Sequence, residues 1–61
     1  MNPQEKKDLI ENELGAFNIA LNGWHLDLNE SVLKTKMIID LENAIESKKI
    51  ELRTLKIQFG V

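Results

Sequence analysis

From Ile38 to Phe59 the apolar residues Ile38, Leu41, Ile45, Leu52, Leu55 and Phe59 recur at spacings of 3, 4, 7, 3 and 4. An α-helix brings such a series onto one side, because positions three, four and seven apart return to the same face; a strand would scatter them over two. The pattern is a heptad seam of the coiled-coil kind, with Lys48 standing in the one slot not filled by an apolar residue. An ammonium buried there is unfavourable, so Lys48 is expected to snorkel outward or to pair with an acid from a partner helix. Leu33, Met37 and Ala44 lie beside the seam, and Val32 and Ile39 broaden the apolar surface of its first half.

A seam needs a facing surface, and the first third of the chain offers one. Ile10, Leu14, Phe17 and Leu21 follow at spacings of 4, 3 and 4, with Leu9, Ala16 and Ala20 widening the face. Asn2-Pro3-Gln4-Glu5 marks where this helix begins: asparagine caps the free amides, proline fits the first helical position, and a glutamate three residues on can complete a capping box. Gly15 costs about 1 kcal/mol relative to alanine in a helix, and close approach of a neighbouring backbone would be one reason to keep it. Asn22-Gly23 can adopt the left-handed conformation that ends helices. For the second helix, Asp27 or Asn29 is the expected cap, with Glu30 near either. At the far end Leu55, Ile57, Phe59 and Val61 alternate with Lys56, Gln58 and Gly60, which suits a strand as well as a helix; helix to about Phe59 is expected, since a lone strand has nothing in this chain to pair with.

These readings give an all-α fold: one antiparallel helical hairpin with helix 3–21, loop 22–28 and a longer helix 29–59. At 1.5 Å per residue the helices span about 28 and 45 Å, so some ten residues of the second would stay uncovered, among them Leu52, Leu55, Ile57 and Phe59. An uncovered apolar stripe marks an interface. The expectation is a homodimer, or a higher helical oligomer, forming a four-helix bundle through Ile38, Leu41, Ile45, Leu52, Leu55 and Phe59.

Composition limits what else the chain can be. At 61 residues without cysteine it has room for one domain and no disulfide or thiolate metal site, which leaves helix packing or self-association as its source of stability. No apolar run reaches the roughly 20 residues of a membrane span, and MNPQEKKDL lacks the basic-then-apolar order of a secretory signal, so a cytoplasmic location is expected. Net charge is -2, unevenly spread: Met1 to Leu28 carries -3 and Glu46 to Val61 carries +2. That asymmetry suits antiparallel packing, docking of one end on an acidic partner or, equally, a solvated helix face, and the acidic balance argues against nucleic acid.

Few residues suggest chemistry. Trp24 and His25, the only tryptophan and histidine, sit together in LNGWHLDLNE. Trp24 falls three residues beyond Leu21, where its ring can close the end of the core; as a binding hot spot it is also a candidate partner anchor. His25 with Asp27 and Glu30 matches no defined metal geometry, and Ser31 and Ser47 have no oxyanion hole signalled beside them, so neither a metal, a cofactor nor nucleophilic catalysis is expected. The carboxylate pairs Glu11 with Glu13 and Asp40 with Glu42 are two apart and do not face each other on a helix.

In length, in hairpin layout and in the Ile39-Asp40 pair following Val32-Leu33, the sequence resembles the sporulation-type aspartyl-phosphate phosphatases. These are short helical hairpins that dephosphorylate response regulators through a Ser-Gln-Glu-Leu-Asp signature. Where the signature has serine, glutamine and glutamate, this chain has Lys36, Met37 and Ile38, so the resemblance carries over only Asp40. Read from the residues alone, Asp40 pairs with Lys36 one turn earlier, worth about 0.3 kcal/mol. The leading expectation is a non-enzymatic interaction module or regulator, with a phosphatase-like regulator of receiver domains as the alternative.

Overall fold

The computed structural model describes all 61 residues. Two helices, α1 (Pro3–Leu26) and α2 (Val32–Phe59), pack against each other along their length to form a hairpin, and there is no strand. The molecule is a rod of 43 × 14 × 14 Å, the dimensions of two helices lying side by side.

Both helix starts are held by side-chain caps. Asn2 is extended and its Oδ1 accepts from the Glu5 amide at 2.8 Å, with Pro3 as the first helical residue, as the sequence predicts. At α2 the cap is Ser31, whose hydroxyl accepts from the Lys34 amide at 3.0 Å, in place of the expected Asp27 or Asn29. Those two residues build the turn instead: the Asp27 carboxylate accepts from the Asn29 amide at 3.0 Å, a two-residue Asx turn that keeps the backbone out of helix until Ser31. The Lys34 ammonium reaches back to donate to the Asp27 carbonyl and closes the loop over.

The first helix runs through Asn22-Gly23 to Leu26, five residues beyond the predicted end, because no positive φ occurs there; Gly60 is the one residue that adopts it. Asn-Gly permits a left-handed turn without requiring one, and continuing the helix keeps Trp24 on the stripe of Leu14, Phe17 and Leu21. The helices are consequently of 24 and 28 residues, about 36 and 42 Å long, and the expected overhang shrinks to about one turn. The end of α2 is helical to Phe59. It closes on Gly60, whose φ of 68° and ψ of 30° let its amide reach the Lys56 carbonyl at 2.8 Å.

Only Ile10, Ile45 and Leu55 are buried, and of these Ile10 alone is fully so. Leu14, Phe17, Leu21 and Trp24 from α1 and Ile38, Leu41 and Leu52 from α2 are half-buried around them. Gly15 has open space where a Cβ would stand, so close backbone approach is not what keeps it there.

Candidate protein-interaction surfaces

The α2 seam is closed within the protomer. Ile45 and Leu55 are buried, and Ile38, Leu41 and Leu52 half-buried, against the α1 stripe, leaving only Phe59 half exposed at the open end. Within the hairpin α1 is long enough to face five of these six residues, and Phe59 alone keeps half of its surface. The stripe expected to face water reduces to Ile57 and Phe59.

Lys48, the charged member of the seam, turns toward its edge. Its ammonium lies 3.2 Å from a Glu13 carboxylate oxygen of α1 and 3.6 Å from Glu51 of its own helix. The hydrogen bond it donates to Glu13 is the main reason its pKa is raised above the ordinary 10.5; partial loss of water opposes it, and the charges of Glu13 and then Glu51 add to the rise. This pair also sets the register of the hairpin, placing Ala16 level with about Ala44 and Ala20 level with about Asp40.

Each flank of the hairpin has its own character. On the flank carrying Glu13 and Glu51, α1 contributes Leu9, Ala16 and Ala20, and α2 contributes Leu33, Met37 and Ala44. Leu9, Ala16, Ala20 and Leu33 are exposed, and Met37 and Ala44 half-buried. On the other flank α1 places Glu11, Asn18 and His25, and α2 places Glu42, Lys49 and Lys56, all exposed and polar. Leu9, Ala16 and Ala20 therefore do not widen the core face; they start an apolar flank shared by both helices. Its signal was present in the sequence as the heptad spacings Leu9-Ala16-Gly23 and Met37-Ala44, but seeing that the two rows adjoin requires the register that Glu13 and Lys48 establish.

Trp24 is half-buried in the last turn of α1, on the core stripe. His25 is exposed in that turn, and no cluster of three or more histidine, cysteine, aspartate or glutamate side chains comes close enough to hold a metal ion. Asp40 is exposed and makes no ion pair with Lys36. Both line a shallow hollow of about 620 Å³ on the outer side of α2, together with Ser31, Val32, Thr35 and Ile39. No helix is long and apolar enough to cross a membrane. No protein-family model, curated protein or solved structure matches the chain.

Proposed function

We propose that this chain is a non-enzymatic helical interaction module that self-associates into a dimeric four-helix bundle, in which form it displays helical faces to a protein partner. The observation that carries this reading is the thinness of the monomer's core, three buried residues of 61. A compact chain of 7.0 kDa exposes about 4,000 Å², whereas this hairpin exposes 4547 Å². Large apolar side chains are among what it exposes: Leu9, Leu33, Ile39 and Ile50 are about half exposed, and Ile19, Val32 and Ile57 more so. With no disulfide to constrain the unfolded chain, a second hairpin supplies the missing burial through surface the protein already has.

The test is the dependence of Tm on protein concentration, followed by circular dichroism. Folding coupled to association raises Tm with concentration, while a monomer unfolds at one temperature throughout. A constant Tm overturns the proposal. The phosphatase-like reading draws on Asp40, which is exposed, unpaired and beside Thr35 and Lys36 in the outer hollow. It requires that the chain turn over a phosphorylated receiver domain and that Asp40→Ala abolish turnover with helicity unchanged; no turnover by the parent chain removes it.

A further inference from the structure

Resting on the self-association just proposed, we infer that two copies meet antiparallel through the apolar flank, with the two-fold axis passing between the Ala16–Ala44 levels of the two hairpins. Three observations converge on this surface and on a second copy as its occupant. The first is the gathering of Leu9, Ala16, Ala20, Leu33, Met37 and Ala44 on one flank, whereas on the other the exposed Ile39 and Ile57 stand apart at the edge of a row of polar residues. The alanines at its centre let two helix pairs approach closely, and the larger side chains stand toward its ends.

The second is self-complementarity about Ala44. Lys48 lies four residues to one side of it and Asp40 four to the other; Glu51 and Met37 lie seven to either side. A two-fold axis at this level therefore brings Lys48 of each copy level with Asp40 of the other. It also brings the Leu9–Glu51 level against the Gly23–Met37 level, so that Leu9 lies over Gly23, which has no side chain to keep it off. Lys48 has three donors; its ammonium lies 3.2 Å from Glu13 and 3.6 Å from Glu51, which leaves a donor for the exposed and unpaired Asp40. Charge favours the same direction. The loop half, residues 15–46, holds five acids and two bases, net -3, and the terminal half six bases and five acids, net +1. Antiparallel contact sets unlike halves together.

The third is area. One side of a 43 × 14 Å rod projects to roughly 600 Å², so two copies side by side remove roughly 1,200 Å² from water, the lower bound of stable interfaces.

Because the chain has no cysteine, single cysteines report the interface directly. A residue beside a two-fold axis meets its own copy, within the 4.4–6.8 Å Cα separation that a disulfide needs. Under mild oxidation Ala44→Cys and Ala16→Cys are expected to convert mostly to linked dimer, while Asn43→Cys, on the outer face of α2, stays largely unlinked. Asp40→Lys, which repeats a like-charge contact twice across the axis, is expected to weaken dimerisation roughly tenfold. A concentration-dependent Tm combined with Asn43→Cys linking as readily as Ala44→Cys overturns the inferred surface and leaves self-association standing. A concentration-independent Tm overturns both.

Discussion

Truncating two isoleucines of α1 that lie on opposite sides of the helix separates a helix packed through its seam from one packed any other way. Ile10 is 1% exposed and Ile19 75% exposed. Replacing Ile10 by alanine removes three buried carbons, about 2.4 kcal/mol at 0.8 kcal/mol each, and the cavity left behind brings the cost to about 3 kcal/mol. At Ile19 a quarter of the side chain is out of water, and the same substitution costs about 0.6 kcal/mol. A chain of 61 residues has about 3–9 kcal/mol of stability in total, so Ile10→Ala removes a third of it or more, and Ile19→Ala leaves it folded. Urea denaturation followed by circular dichroism, at one fixed protein concentration, reads the difference. With an m value of about 1 kcal/mol/M the midpoint falls by about 3 M for the first variant and about 0.6 M for the second. Equal losses at the two positions would refute both the rotation of α1 about its axis and the placement of the interface on the Leu9–Ala16–Ala20 flank.

Three other perturbations test local features. Ser31→Ala removes the cap of α2 and is expected to lower stability by about 1 kcal/mol, whereas Asn29→Ala, outside the cap, costs less; denaturation of both checks it. Gly15→Ala meets no atom in the hairpin and is expected to raise stability by about 0.5–1 kcal/mol, seen as a higher Tm. Lys48 has a raised pKa in the folded protein, so its pairing with Glu13 and Glu51 contributes fully below the unfolded value near 10.5 and is lost as pH rises through the higher folded value. Alkaline unfolding of the parent and of Lys48→Met should therefore converge above that range, and a parent advantage that grows with pH there would contradict the pairing.

The existence, order and direction of both helices were legible from the seam spacing and from Asn2-Pro3. So was the placement of Lys48 against an acid. The loop was not, for a physical reason: Asn22-Gly23, Asp27 and Asn29 are each competent to end or start a helix, and which does so is decided by tertiary gain. Keeping Trp24 on the core stripe favours helix through Gly23, and the Asx turn at Asp27 moves the α2 start to Ser31. The longer α1 and the later start of α2 together slide the start of α1 along α2, so that Leu52 and Leu55 are covered within the hairpin. Gly60 directly after Phe59 is the signal that distinguishes helix from strand at the end of the chain, because a left-handed glycine is how a helix stops.

Sedimentation equilibrium of the intact chain over a hundredfold concentration range tests the proposed assembly most directly. The expected result is twice the chain mass over the upper part of the range, with helicity falling only as the dimer dissociates. A single chain mass at every concentration, with helicity undiminished, would contradict it and show that a hairpin with three buried residues stands on its own.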